Sequence, residues 1–503
     1  MYIDDLFHAP MDRIAAFAQA QVHLYRHDVG LQDYFLALQS DMSAGPSLNP
    51  SRIRVTDRPV ATAIRTFDTV RRLRPRRRIK TDVLFCPIPY FERKTENQFL
   101  VRALLGLAQT DAQILCLLPN NAPCRGELDE RLATAGRSGQ VTFLDPSNAS
   151  DTTDARLCAL GGRIRARSAL RETLQILEPH GLCPGTEVRW AFERTAHFVE
   201  AWDRLAPWVE FDAVVARCHW NMLCSPVCRT ARERGKPVIT FQQGVIGHTL
   251  DAPLTASKYV AFGNSSASFM DRLNARFFQA AGLPTPPVEY VSGGSLFDNL
   301  INLPNQFDRQ TVLIVDAPAS PEDFYGIESQ VQALLELASK LLESTRPLRR
   351  VVIRPHPYWN NLDLESCKRL VRKHPERCEL SHPAWSLEED LRRSSVVAGI
   401  FSGVLTVASA CGLPTVFLQT ENGYTTGDLA CFSPGQTLLP HAAFVEIGKL
   451  LADKEEYAEA RRVALHNSRE YYANGTNLAL SGEYFERLLD VNAVPAQAPK
   501  NLQ

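Results

Sequence analysis

The chain has 503 residues, 45% of them apolar and 22% charged, which is more than one ordinary domain holds and unlike a disordered or fibrous polypeptide. Its 55 basic and 56 acidic side chains leave a net charge of −1, so no global field steers it onto nucleic acid and any anionic partner must be bound locally. No stretch approaches the roughly 18–20 apolar residues of a membrane-spanning helix, and the acidic start lacks a secretion-signal layout, so the expected location is the cytoplasm.

Residues 1–75 read as a helical extension, with apolar residues at three-to-four spacing in IAAFAQAQVHLY and LQDYFLALQ and a break at GPSLNPS. A basic run from Arg71 to Lys80 follows. It is either a solvated linker or a contact for an anionic polymer or the inner face of the plasma membrane, where each basic residue contributes about 1 kcal/mol.

From residue 80 to about 300, short apolar runs (TDVLFCPIP, AQILCLLP, QVTFLDP, FDAVVARC, KPVITFQQG, SKYVAFG) alternate with helical stretches such as RIRARSALRETLQIL and RTAHFVEAWDRLAPWV. Runs of this kind are buried parallel strands, and the alternation predicts a doubly wound parallel sheet. A second series spans 310–490: TVLIVDAP, the amphipathic helix QVQALLELASKLLES, RRVVIRPHP, SVVAGIFSG and LPTVFLQ. The fold class is therefore α/β, with two Rossmann-like units facing a cleft and closing helices that return across the joint. The twelve cysteines lie mostly in apolar runs, as Cys86, Cys116 and Cys411 do. Cys218, Cys224 and Cys228 cluster locally without zinc-site spacing, and no metal is expected.

In such folds ligands bind beyond the carboxyl ends of strands, and four segments lie there. VVIRPHPYW places Arg354, His356 and Pro357 at a strand tip, where His and Arg can donate to a phosphate; a turn in which His356 caps a carbonyl is the competing reading. In VVAGIFSGVLTVASACGLP, Ser402 stands at a helix N-cap, Gly403 admits a ligand to the backbone, and Thr406 follows in the helix. The amide groups and dipole there form an anion site, and Ser402 caps its own helix in either reading. VITFQQGVIGHTLDAP gathers Gln242, Gln243, Gly244, His248 and Asp251 in one turn, either a substrate loop or an ordinary connection. VEYVSGGSLFDN offers Gly294 and Ser295 to a phosphate or sugar and opens toward a helix. There is no P-loop, GxGxxG, GxSxG or strand-borne DxD, and Asp316 after TVLIV has no acidic partner at that spacing.

Taken in order, QQG…H, SGGSLFD, RPHP and FSG…T…GLP resemble the B-type (GT-B) glycosyltransferases of bacterial polysaccharide synthesis: Kdo transferases, sialyl- and polysialyltransferases, and teichoic-acid glycerophosphotransferases. FQQGVIGHTLDAPLTASKYVAFG is most similar to the retaining β-Kdo transferases of lipopolysaccharide and capsule, and the resemblance covers roughly residues 80–435. It implies a nucleotide sugar as donor substrate rather than a cofactor, and a glycan or glycolipid as acceptor. His356 and Pro357 would bind the nucleotide, with Ser402 and Thr406 on its phosphate. Ala408-Ser409-Ala410 replaces the acidic residue with which many diphosphate-sugar enzymes of this fold hold the ribose, which favours a CMP-linked donor; the acidic-acidic-Gly motif of the sialyltransferases is not evident. A single phosphate needs no metal. The catalytic carboxylate, covalent nucleophile or base, is expected at Asp251, with His248 or Glu92 as alternatives. CDP-glycerol transfer, a UDP-sugar transferase or 2-epimerase of the same fold, and a non-catalytic assembly partner are the other readings.

Overall fold

A computed structural model describes residues 78–87, 94–118, 122–145, 202–219, 224–246, 254–296, 300–315, 327–344, 348–355, 364–382, 386–418 and 438–490, apart from isolated positions within these ranges. The expected N-terminal helices and most of the basic run lie outside the described residues.

The first half contains β1 (Ile79–Lys80), β2 (Val83–Cys86), α1 (Lys94–Leu107), β3 (Ile114–Leu117), α2 (Arg125–Thr134), β4 (Val141–Leu144), β5 (Val209–Glu210), β6 (Ala213–Ala216), α3 (Cys224–Glu233), β7 (Val238–Phe241), β8 (Lys258–Ala261), α4 (Asn264–Ala280) and β9 (Glu289–Ser292). Seven strands form one wholly parallel sheet in the order β4-β3-β2-β6-β7-β8-β9. All four residues of β2, β3, β6 and β7 are buried, as expected of strands covered on both faces. The order reverses between β2 and β6. β1 and β5 form a separate parallel pair.

The second half contains β10 (Thr311–Val315), α5 (Ile327–Glu343), β11 (Arg350–Arg354), α6 (Leu364–Lys373), β12 (Cys378–Leu380), α7 (Leu387–Arg393), β13 (Val396–Gly399), α8 (Gly403–Ala410), β14 (Thr415–Phe417), α9 (Pro440–Ala452), α10 (Lys454–Tyr471) and α11 (Gly482–Leu489). Its five strands are also all parallel, in the order β12-β11-β10-β13-β14, and reverse between β10 and β13. The architecture is two successive doubly wound sheets, each with the mononucleotide-binding strand order.

One continuous apolar cluster runs from Phe85 and Leu104 in the first half to Leu313 and Val397 in the second. The last segments return to the first half. A Cβ on Gly106 of α1 would stand 2.2 Å from Leu480 O, and one on Gly263, just before α4, would stand 2.5 Å from Tyr471 O. Only glycine permits these approaches. Arg102 of α1 donates to Leu296 O at 3.0 Å and Leu478 O at 2.6 Å, joining the linker and the returning segment to one helix. Arg461 of α10 donates to Leu303 O, Pro304 O and Gly412 O, fixing the linker to the second half.

The Gly-Ser turn after β9 leads to residues 297–299, which lie outside the described residues, as does the start of the helix expected there. Ser295 pairs as an isolated bridge with Asn477, and its amide and carbonyl bond Thr476 O and the Leu478 amide. No described helix is long and apolar enough to cross a membrane.

Candidate functional site

The second sheet presents its strand ends at one level. Val315 of β10 is in register with Arg354 of β11 on one side and Gly399 of β13 on the other. With strands about 4.8 Å apart, the chain leaves for the His356 loop roughly 10 Å from where it leaves for Ser402. His356 and Pro357 themselves lie outside the described residues; β11 delivers the chain to them at Pro355.

Three residues past β13, Ser402 is extended (φ −143°, ψ 133°), and its hydroxyl accepts from the Val404 amide at 3.3 Å. This is the N-cap geometry that the sequence predicts. Ser402 is buried, but Gly403 beside it is exposed, and a Cβ there would meet nothing within 4 Å. Among the described residues nothing covers Gly403 in the first turn of α8, at the positive end of the helix dipole and where the strand order reverses. Thr406 does not face that opening. It is fully buried, and its hydroxyl bonds Gly403 O at 2.7 Å and Tyr472 Oη at 2.5 Å. It holds the turn from behind.

Arg354 is also turned inward. Its Nη1 forms an ion pair with Asp390 Oδ2 and lies 3.2 Å from Ser381 Oγ, while Ser381 donates to the same carboxylate oxygen at 2.6 Å. The Asp390 side chain is fully buried, so the guanidinium neutralises an internal charge and ties the end of β11 to α7. This ion pair is a structural duty beside the expected phosphate contact of Arg354, which the described residues do not test.

At the carboxyl end of the first sheet, Gln242 follows β7. Its Oε1 accepts from the Phe262 amide at 2.7 Å, and its Nε2 donates to Gly244 O at 2.8 Å. The side chain staples the ends of β7 and β8 and shapes the turn in which Gly244 is exposed with open space around it. Gln243, His248, Asp251 and Glu92 lie outside the described residues. Gly294 and Ser295 have another role than the expected sugar contact. Gly294 has φ +95°, and a Cβ there would lie 2.5 Å from Thr476 O, so the backbone it admits is the protein's own.

Sequence reasoning missed the residues just past β6. Arg217 is wholly buried, donates to Gln242 O at 3.1 Å and lies over the Phe99 ring at 4.8 Å. His219 is 2% exposed, and its Nε2 has no hydrogen-bond partner. Burial, reinforced by the charge of Arg232, pushes its pKa down to about 3, so the imidazole is neutral. Nearby in sequence, Cys218 bonds the Cys224 thiol, whose Sγ lies 3.6 Å from Cys86 Sγ, and burial raises both the Cys86 and Cys224 pKa values. Among the described residues no group of His, Cys, Asp or Glu is arranged to hold a metal ion. The available signal was positional: His219 and Ser402 are each the third residue past the strand on the far side of a reversal.

No protein-family model matches the chain, and no curated protein does. Among solved structures it is similar to α,α-trehalose 6-phosphate synthase from Burkholderia multivorans (12% identity, TM-score 0.49, 83% of this chain and 97% of the other). It is also similar to a glycosyltransferase from Rickettsia africae ESF-5 (10%, 0.45, 81% and 97%). A third is Anabaena HepE, solved in complex with UDP-glucose (13%, 0.44, 81% and 99%). The likeness is one of chain course.

Proposed function

We propose that the protein is a glycosyltransferase moving a sugar from a nucleotide donor, held at the end of the second sheet, to a glycan or glycolipid acceptor at the end of the first. The observation that carries this reading is the first turn of α8. It is capped by Ser402, uncovered at Gly403 and set at the reversal of strand order, where backbone amides and dipole favour a phosphate. In this reading Ser402 and Gly403 receive the donor phosphate and stabilise the charge that develops as the nucleotide departs. His356 and Pro357 hold the nucleoside, and Asp251, with His248 or Glu92 as alternates, supplies the group that attacks or deprotonates. Thr406 and Arg354 position the site from inside.

CMP-linked Kdo is the first donor to try. α8, with the sequence GVLTVASA, bears no carboxylate with which to grip a ribose, and a single phosphate asks for no metal. For a lipid-linked acceptor, the described end of the basic run supplies exposed Arg78 and Lys80, both beside Glu210, with exposed Trp208 immediately before β5. An aromatic side chain among basic residues suits a membrane interface.

The test is the melting temperature with CMP, CDP, UDP, UMP and ADP, for wild type and His356→Ala. A ligand at 100 times its dissociation constant adds about 2.7 kcal/mol to the folded state. Stabilisation by cytidine nucleotides, lost in the variant, is expected; incubation with CMP-Kdo and a Kdo-free glycolipid then reads transfer. A response to UDP alone moves the donor to a UDP-sugar. No response to any nucleotide overturns the reading.

A further inference from the structure

A run of six described residues leads from the turn at Gly403 to the turn at Gly244 without a gap. Gly403 O accepts from Thr406 Oγ1 at 2.7 Å, and that hydroxyl pairs with Tyr472 Oη at 2.5 Å. The Tyr472 ring stacks on Phe262, with centroids 5.4 Å apart and planes 30° from parallel. Phe262, the first residue after β8, donates its amide to Gln242 Oε1 at 2.7 Å, and Gln242 Nε2 donates to Gly244 O at 2.8 Å. Four of these residues, Thr406, Tyr472, Phe262 and Gln242, are buried. There is no slack at the crossing: Tyr471 packs edge-on against both Phe262 and Tyr472, and Tyr471 O leaves no room for a Cβ on Gly263.

The pairing exceeds what packing needs. A buried threonine in a helix satisfies its hydroxyl on its own preceding turn, as Thr406 does on Gly403 O, and a stacked ring stabilises the joint without any hydroxyl. The second partner of Thr406 is the hydroxyl of a residue whose ring stacks on Phe262, at the end of β8 in the other sheet. It fastens to the first turn of the helix that the proposed donor would meet. Each link has a fixed partner, so a shift of α8 on binding an anion is felt at Gln242 rather than dissipated.

We propose that Tyr472 is a positioning residue that couples occupancy of the α8 turn to the order of the Gln242–Gly244 turn. The donor half thereby prepares the acceptor half. This inference rests on the transferase reading for what occupies α8, and its physical content is a coupling between two sites.

The experiment is amide hydrogen exchange on the full chain, with and without UDP or CMP, whichever raises the melting temperature. Three proteins are compared: wild type, Tyr472→Phe and Tyr471→Phe. Tyr472→Phe keeps the stacked ring and loses only the hydroxyl; Tyr471→Phe keeps its ring against Phe262 and loses a hydroxyl outside the run. In wild type and Tyr471→Phe, nucleotide slows exchange in peptides covering 238–244 by about fivefold or more, the lower range of allosteric coupling. Tyr472→Phe still melts cooperatively and still binds nucleotide, about three- to tenfold more weakly, as expected for loss of one buried hydrogen bond, but the 238–244 peptides no longer respond. In turnover it raises the acceptor KM more than it lowers kcat. An unchanged response in Tyr472→Phe overturns the coupling. So does a wild type that binds nucleotide with no response at 238–244, although the transferase reading then survives. A wild type that binds neither nucleotide removes both.

Discussion

The two sheets share a strand order and differ in what stands three residues past the strand at the reversal. In the second sheet that residue is Ser402, followed by an exposed glycine at the start of a helix. In the first it is His219, itself buried, two residues beyond the fully buried Arg217. One topology has thus been finished in two ways. Among the described residues, the first turn of α8 is left exposed at Gly403, which suits a ligand carrying concentrated negative charge. The corresponding positions of the first sheet are taken up by buried side chains, so on the described part of that half a ligand would meet the turn shaped by Gln242.

Filling has an energetic signature that substitution exposes. Arg217 donates to Phe241 O and Gln242 O and covers the Phe99 ring. Arg217→Ala leaves a large cavity and strips a charged donor from two carbonyls, so we expect a loss of about 4 kcal/mol by urea denaturation. If that position were exposed like Gly403, water would replace the guanidinium and the loss would fall below about 1 kcal/mol.

Next in size is the joint that brings the halves together. A methyl group on Gly263 would press on Tyr471 O at 2.5 Å, against backbone that cannot step aside. Gly263→Ala should cost about 2 kcal/mol, as overpacking does, with faster hydrogen exchange in the returning segment 471–490. A neutral result would mean that the two halves tolerate sliding.

How far these features were legible follows from what a sequence pattern can encode. Runs such as VLFC, AVVA and VITF in the first sheet and TVLIV and VVAG in the second announce strands buried on both faces, and both sheets rest on them. The three-residue β12 (CEL) and the half-exposed edge strand β9 (EYVS) carry no such pattern, because a strand with one open side needs few apolar residues. The cap at Ser402 was legible because it is local. The duties of Arg354, Thr406 and Gly294 were not, since Asp390, Tyr472 and Thr476 reach them from 36, 66 and 182 positions away along the chain. A glycine required by one's own backbone and a glycine required by a ligand look alike in sequence.

The buried imidazole sharpens the comparison through pH. His219 in the folded state has its pKa pushed down to about 3, against about 6.5 when unfolded. Above pH 6.5 neither state is charged and nothing is lost. As pH falls below 6.5 the unfolded chain takes up the proton first, so stability declines by about 1.4 kcal/mol per unit until the folded group also titrates. Melting curves from pH 7 to pH 4.5 should show this decline, and His219→Gln, which does not titrate, should flatten it. An equal decline in both proteins would mean that His219 is reached by water and titrates normally.

The smallest expected change in stability falls at Ser402 and separates a cap from an anion site. The Ser402 hydroxyl bond to the Val404 amide is long at 3.3 Å, so Ser402→Ala should cost about 0.5 kcal/mol, the low end for caps. Ser402→Asp keeps a capping oxygen and sets a negative charge against the helix dipole, so it should match or exceed wild type by about 0.5 kcal/mol. The same carboxylate occupies the place proposed for the donor phosphate and repels it. Ser402→Asp should therefore melt at or above the wild-type temperature and show no nucleotide-induced shift. A protein more stable than its parent that has lost the ligand response cannot owe that loss to misfolding, whereas a retained response would place the nucleotide away from α8.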